Sequence, residues 1–358
     1  MKAATVNVLL FFVCSLFISP VQASSKEAPW YIGSEKCRDC HMDQFNHWQA
    51  SGHPYKLRVA EKVRYTGIPL PKGFTWEDIA YVIGGKNKKA RFIDQKGFII
   101  TQAKDGTPAP TQYNMIDGTW SNYNAGKVKP YKCGPCHMTA YQKEGHKDGL
   151  PGMIGDWEEN GIGCEECHGP GSTHAYQQEP TKETIKKDIK GESCGKCHQR
   201  SGMDIPPLAA KGFVRHHEQF NEVNVGAHSG TDCVECHDPH KRAINIRATC
   251  ISCHDEKGFV NYAETTHGKS GVPCVDCHMP RATKSAVKTG RFAGDVRTHL
   301  VKIELDSDAS MFEKGKLGGK EVTFAKGFVT ADFACLNCHG SRDRKWAAKN
   351  GEEIHETD

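Results

Sequence analysis

Short apolar runs are separated by long polar stretches, and few runs are long enough to build an ordinary core. The longest, Val6–Ile18, follows Lys2 and ends before Pro20. A positive start, an apolar centre and the small-residue site Val21-Gln22-Ala23 form the pattern of a secretory signal peptide over residues 1–23. The run is shorter than the roughly 20 apolar residues that span a bilayer. Further on, Ile79–Ile83 reads as a strand closed by Gly84-Gly85. Ala90–Ile93 and Phe98–Thr101 flank Asp94-Gln95-Lys96-Gly97, which predicts a hairpin. Glu183–Lys190 predicts a short exposed helix, and Leu300–Glu304 a further strand, in a stretch that is otherwise irregular after residue 278. Lys86–Lys89 and Lys314–Lys320 read as solvated basic faces.

Composition sharpens this picture. The 358 residues are only 37% hydrophobic, with mean hydropathy −0.60, so apolar side chains alone are a thin filling for this length. Net charge is +4, too balanced for a nucleic-acid binder. The unusual counts are 17 cysteines and 19 histidines. Removing the signal peptide discards Cys14 and leaves sixteen cysteines.

All sixteen fall into C-x-x-C-H motifs. Cys37 and Cys40 precede His41, Cys133 and Cys136 precede His137, Cys164 and Cys167 precede His168, and Cys194 and Cys197 precede His198. Cys233 and Cys236 precede His237, Cys250 and Cys253 precede His254, Cys274 and Cys277 precede His278, and Cys335 and Cys338 precede His339. This is the attachment signature of c-type haem. Two thioethers must reach the two vinyl groups on one edge of a porphyrin, and the adjacent histidine then turns its imidazole onto the iron. Zinc ribbons do not require a histidine after every second cysteine. Thioredoxin-like pairs come singly in a βαβ context that is absent here. Residue frequencies place about 0.04 such motifs in the chain by chance, against eight found. The expected cofactor is therefore haem c, eight copies, covalently attached.

Eight histidines serve as proximal ligands, and eleven remain. If each iron takes a second histidine, nearly all are used. That ligation leaves no open position and lowers the potential relative to Met/His ligation. The candidates for the second position are His53, His174, His216, His217, His228, His240, His267 and His299. Most stand close in sequence to a motif. His216 and His217 are adjacent, so divergent side chains could serve different haems. His47, His146 and His355 are set apart from these, His355 because it lies in the terminal tail.

Trp48-Gln49-Ala50-Ser51-Gly52-His53, Gly161-Ile162-Gly163 leading into the third motif and Gly169-Pro170-Gly171, His216-His217-Glu218-Gln219-Phe220-Asn221-Glu222, and Cys277-His278-Met279-Pro280 resemble the multihaem c-type cytochromes related to cytochrome c554. The resemblance covers most of residues 30–340. It implies bis-histidine ligation and haems in alternating stacked and perpendicular pairs. Relatives that reduce nitrite or tetrathionate carry one C-x-x-C-Lys haem at the catalytic site, and this chain has none.

The motifs are unevenly spread, with six between Cys133 and His278. So little chain per porphyrin means that neighbouring haems must touch. The expected fold is mainly α with much irregular chain, a haem-packed core and a small β element packed on the first haem. The expected divisions are 1–23, signal peptide; 24–132, first haem and a haem-free β-containing region; 133–280, six-haem core; and 281–358, the C-terminal region with the eighth haem.

The expected role is that of an electron carrier secreted across the cytoplasmic membrane, periplasmic or extracellular, in anaerobic or metal-linked respiration. Redox partner proteins or quinol-linked membrane complexes are the expected partners, with a terminal acceptor, no nucleic acid, and room for a homo-oligomer. One rival is a multihaem reductase or oxidase of small nitrogen or sulfur species with one open iron. Another is a polymerising extracellular subunit, with His47 or His355 ligating a neighbour's haem.

Overall fold

The computed structural model describes residues 28–355 apart from 178, 188, 243, 245–247 and 255–258. The expected signal peptide lies outside the described residues. Among the described residues no helix is long and apolar enough to cross a membrane.

Each C-x-x-C-H segment lies on or beside one helical turn. The histidine amide donates to the first cysteine's carbonyl, as from His41 to Cys37 at 2.9 Å, His198 to Cys194 at 2.9 Å, His237 to Cys233 at 2.9 Å, His254 to Cys250 at 3.1 Å and His339 to Cys335 at 3.0 Å, while Cys164–His168 and Cys274–His278 are themselves helices. Residues three apart on a helical turn share a face, so the turn points both thiols of a pair the same way. The helices stay short. Met42–Ala50, with nine residues, is the longest described.

The β content exceeds the expected small element. A first sheet runs β1 (Leu57–Val59), β2 (Ile79–Gly84), β3 (Lys89–Asp94), β4 (Gln112–Asn114) and β5 (Trp120–Ser121), antiparallel throughout. The expected strands at Ile79–Ile83 and Ala90–Ile93 are present, but they pair with each other. The expected hairpin also closes on the other edge of β3: Ile93 bridges Ile99, the Asp94 amide donates to the Phe98 carbonyl and the Ile100 amide to the Phe92 carbonyl, both at 2.9 Å. The Asp94 carboxylate caps that turn by accepting from the amides of Lys96 and Phe98, both at 2.9 Å. One face of the sheet buries Leu57, Tyr81 and Ile93 against Tyr131, Met138 and Trp157, beside Cys133. The sheet thus packs on the second motif, not on the first as expected.

Two short pairs of strands follow in the middle of the chain. β6 (Met138–Thr139) pairs with β7 (Glu159–Asn160). A second five-stranded sheet then joins β8 (Leu208–Ala210), β9 (Phe213–Arg215), β10 (Thr283–Lys284), β12 (Phe312–Leu317) and β13 (Lys320–Ala325), in the order β10-β9-β8-β13-β12. Between them in sequence, β11 (Ile303–Glu304) pairs in parallel with β14 (Val329–Thr330). This region is not irregular as the sequence suggests. Its hairpin turns at Gly318-Gly319, both with positive φ, 55° and 77°, as a two-residue turn requires. The charged side chains of β12 and β13 mask the strand pattern, because this hairpin faces solvent on one side. Of Leu300–Glu304, only Ile303–Glu304 is strand, while Leu300 is fully buried with Val214, Met311 and Phe333. Glu183–Lys190 is not the expected helix. It retains only a 3-10 turn at Lys182–Thr184 and then extends.

A buried carboxylate fastens the beginning of the described chain to the third motif. Glu165 is 2% exposed. It accepts from the amides of Ile32 (3.0 Å), Gly33 (2.8 Å) and Gly171 (2.7 Å). Beside it, Ser34 Oγ donates to Glu159 at 2.7 Å and accepts from the Cys164 amide at 2.9 Å. A second tie brings the Trp48–His53 segment to the same place. Trp48 Nε1 donates to the Ile162 carbonyl at 2.8 Å, and the Ile162 amide donates to the His53 carbonyl at 3.0 Å. Gly161 permits this approach. Its φ is 89°, and a Cβ there would lie 2.6 Å from the Pro54 carbonyl oxygen.

Buried donors left without an acceptor cost about 1–3 kcal/mol each. Glu165→Ala is expected to destabilise the haem-loaded protein by about 3 kcal/mol and to expose residues 28–40 to proteolysis. Denaturant unfolding and limited digestion check this; an unchanged midpoint with no new cleavage contradicts it.

Candidate haem-binding sites

The eight motif histidines do not stand alone. Each faces a second imidazole across a gap. Ring centroids are 6.1 Å apart for His41 and His174, 6.2 Å for His137 and His217, 6.1 Å for His168 and His240, and 6.4 Å for His198 and His53. They are 6.2 Å apart for His237 and His299, 6.0 Å for His254 and His228, 5.8 Å for His278 and His355, and 6.0 Å for His339 and His267. A metal–imidazole nitrogen bond is about 2 Å long. Two trans imidazoles on one metal therefore place their centroids about 6.2 Å apart, allowing roughly 1.1 Å from nitrogen to ring centre. The gaps match an iron held between two histidines, so the residues present fit the haem that the motifs imply.

The donor chemistry fits as well. In several rings Nδ1 is engaged, which leaves the Nε2 lone pair for a metal. Nδ1 lies 2.6 Å from the Lys186 carbonyl in His168, 3.0 Å from the Val301 carbonyl in His278, 3.1 Å from the Thr181 carbonyl in His174, and 3.3 Å from Gln219 Oε1 in His198. His299 is set by Glu222, a carboxylate 1% exposed that accepts from the His299 amide at 2.6 Å and lies 3.4 Å from its Nδ1. Burial holds the innermost rings neutral, as metal ligation requires. Desolvation, aided by Lys56, pushes His53 down to about 3, His137 to about 4 and His217 to about 2.

Two expectations need correction. His216 is not opposite a motif histidine. The left-handed backbone of His217, with φ 64°, keeps the two neighbouring rings together at 4.5 Å instead of letting them diverge. His216 Nδ1 lies 3.2 Å from an Arg200 guanidinium nitrogen and its Nε2 3.4 Å from Lys89 Nζ, so cationic donors face both nitrogens. The place expected for it falls to His355, which stacks at 27° on His278. His217 is nearly equidistant from His137 and His198, at 6.2 and 6.3 Å. Because His53 faces His198, one-to-one pairing leaves His217 to His137.

None of the second histidines pairs with the motif nearest to it in sequence. His53 follows the first motif but faces the fourth; His240 follows the fifth but faces the third; His267 precedes the seventh but faces the eighth. The helical turn explains this. The motif histidine approaches from the side of its own turn, so the opposite side must be reached from elsewhere in the chain.

The motifs also touch one another. Thiols of different motifs lie close enough to act on one another between Cys37 and Cys164, Cys136 and Cys197, Cys194 and Cys233, and Cys250 and Cys274. Cys167 is close to Cys194 and Cys197, Cys236 to Cys253, and Cys277 to Cys335 and Cys338. The eight motifs therefore form one connected series, first–third–fourth–fifth–sixth–seventh–eighth, with the second branching from the fourth.

Three cytochrome c family models match parts of the chain. Residues 239–357 match the N-terminal region of the NapC/NirT cytochrome c family, 156–255 match cytochrome c3, and 110–169 match cytochrome c554 and c-prime. The chain is a multihaem c-type cytochrome. Haem c bound at C-x-x-C-H and electron transfer come with that membership. The cytochrome is 22% identical to the dissimilatory sulfite reductase MccA of Wolinella succinogenes, over 90% of this chain and 62% of the relative, so it spans under two thirds of that protein's length. Among solved structures, the octahaem sulfite reductase MccA of Wolinella succinogenes superposes with TM-score 0.64 at 18% identity, covering 93% of this chain and 70% of that one. The outer cell wall cytochrome OcwA gives 0.58 at 21%, covering 89% and 86%. An undecahaem cytochrome from the S-layer of Carboxydothermus ferrireducens gives 0.52 at 18%, covering 90% and 59%. These likenesses show a shared fold.

Sequence reasoning missed Lys56, Lys89 and Arg91, half-buried cations around the second and fourth motifs, and the exposed Arg200 beside them. Burial pulls Lys89 down to about 7. Lys88 donates to the Asp295 carbonyl, and Lys89 to that of Ser285 at 2.9 Å. These two lysines of the expected basic face therefore point inward. Lys314 and Lys316 are exposed, as expected.

In the haem-loaded protein His355→Ala is expected to convert one ferric site to high spin, whereas His216→Ala leaves the spin state unchanged. Low-temperature EPR reads both. A wholly low-spin His355→Ala protein, or a high-spin signal in His216→Ala, overturns the pairing.

Proposed function

We propose that this cytochrome carries eight bis-histidine haems and passes electrons along them between partners outside the cytoplasmic membrane. The connected series of motifs carries the reading. An isolated redox site needs no such contacts, whereas a conductor needs every site beside the next. Haem supplies reversible one-electron chemistry when bound. The chain's own residues do the rest. Cysteine pairs on helical turns would attach each haem, the paired histidines would hold its iron, and ties such as Glu165 hold neighbouring motifs in contact.

The fourth motif is the junction, since it touches the second, third and fifth. The first and eighth motifs end the unbranched run, and each has an exposed cysteine, Cys40 and Cys338, as do the fifth and sixth motifs within it. They are the places where redox partner proteins, a quinol-linked membrane complex or a terminal acceptor would meet the cytochrome. The setting proposed is anaerobic or metal-linked respiration, periplasmic or at the cell surface. The signal-peptide pattern supports export, because c-type haem is attached outside the cytoplasm.

A reductase of small sulfur or nitrogen species is the alternative suggested by the relative named as a sulfite reductase. It needs an open iron, and the facing imidazole at every motif histidine argues for a carrier. For a polymerising subunit, His355 is already engaged within the chain at His278, which leaves the exposed His47.

The holoprotein is expected to show eight haems per chain by pyridine haemochrome assay and only low-spin ferric signals by EPR. Fewer haems contradict the stoichiometry. A high-spin ferric signal in the native protein overturns the purely carrier role.

A further inference from the structure

Glu222 is a carboxylate with almost no access to water, 1% exposed, on the helix Gln219–Val225. Burying such a group is costly unless hydrogen-bond donors replace the lost water. Two do so here. Oε1 accepts from the Thr283 hydroxyl at 3.0 Å, and Oε2 accepts from the His299 amide at 2.6 Å. Both donors are neutral. The same Oε2 stands 3.4 Å from His299 Nδ1. His299 in turn faces His237 of the fifth motif, with ring centroids 6.2 Å apart. When Nε2 of a histidine holds a metal, Nδ1 carries the proton, and a carboxylate on that side raises the basicity of the ligand.

Other sites are set differently. At the first, third, fourth and seventh motifs a ligand Nδ1 lies against a neutral oxygen, from Thr181, Lys186, Gln219 and Val301 respectively. Asp238 stands 3.3 Å from Nδ1 of His240 at the third motif, but Lys241 Nζ lies 3.4 Å from its other oxygen and its side chain is 21% exposed. Its charge is therefore offset and screened. The carboxylates of the haems themselves are common to all eight sites and single out none of them.

A negative charge beside an axial ligand favours the ferric over the ferrous form, and more strongly in an interior that excludes water. The fifth motif stands between the fourth and the sixth in the connected series. Electrons crossing from the first four motifs to the last three must pass it.

We propose that Glu222 is a positioning residue that holds the fifth haem at the lowest potential of the series, a step that electrons climb between the two halves of the molecule. The proposal rests on the reading that His237 and His299 ligate one haem and that the connected motifs conduct.

An EPR-monitored redox titration of the holoprotein tests it. One low-spin ferric component is expected to reduce below all the others, and His299→Ala is expected to convert that component, and no other, to high spin. Glu222→Gln keeps an acceptor for the Thr283 hydroxyl and the His299 amide but removes the charge. Eight low-spin haems are expected to remain, with this one component raised; a tenfold shift of its equilibrium toward the ferrous form is about 59 mV. Thr283→Val removes a hydrogen bond and keeps the charge, so the component is expected to stay low, whereas a merely structural role predicts that both variants disturb the site alike. The proposal is overturned if the component lost in His299→Ala is not the lowest, if Glu222→Gln moves no potential or all of them together, or if Thr283→Val raises the same component equally. A His299→Ala protein that stays wholly low-spin shows instead that the pairing of His237 with His299 is wrong.

Discussion

Two imidazoles must face each other across a gap of about 6 Å, on an axis that passes through an iron. That requirement organises most of this molecule. The motif histidine comes from the side of its own helical turn, so the opposite histidine must come from a distant segment. Met42–Ala50 leads into His53 for the fourth motif, the turn after the third motif supplies His174 for the first, and the last described residue, His355, returns to the seventh. Each site is thus a cross-link between remote parts of the chain. Folding and haem loading should be coupled for the same reason, because metal binding that joins separate segments adds directly to folding free energy.

The arrangement explains how a chain that is 37% hydrophobic fills its interior. Apolar clusters exist, but they lie under the two sheets, around Leu57 and Tyr131 and around Val214 and Leu300. Between them run the histidine pairs and cysteine turns, where the faces of bound porphyrins would take the place of side chains. The sheets act as end supports. The first carries Lys89 and Arg91 toward the second motif, and the second carries Arg215 and Lys284 to a pocket at His216. Cations around the second motif are therefore contributed from both sides, and burial makes their charge expensive. Two buried carboxylates offset part of that cost, Asp295 beside Lys88 and Lys89 and Glu218 beside Arg200.

Much of this was legible in the residues. The cysteine spacing and the following histidine are local, so a reader needs no fold to see them. The strands at Ile79–Ile83 and Ala90–Ile93 were visible from β-branched and aromatic runs. What misled were features decided by long-range packing. The Asp94–Gly97 hairpin forms as read, but it did not reveal that the other edge of β3 pairs with β2, with Tyr81 and Ile93 sharing one buried cluster. Lys314–Lys320 read only as a basic face because the solvent side of β12 dominates its composition, although Gly318-Gly319 marked the hairpin. His355 was set aside for lying near the terminus, and His216 was favoured for its neighbour. Position along the chain carried little information about either, because an axial ligand is chosen by the space it can reach.

From the sequence alone came the cofactor class, its attachment points, the first axial ligand of each site and the supply of histidines for the second. All of these depend on chemistry within five residues. Only the tertiary structure decided which second histidine meets which motif, the branched order that makes the fourth motif a junction, and the crowd of cations beside the second. These depend on distances between segments far apart in the chain, and such distances are set by packing, not by spacing.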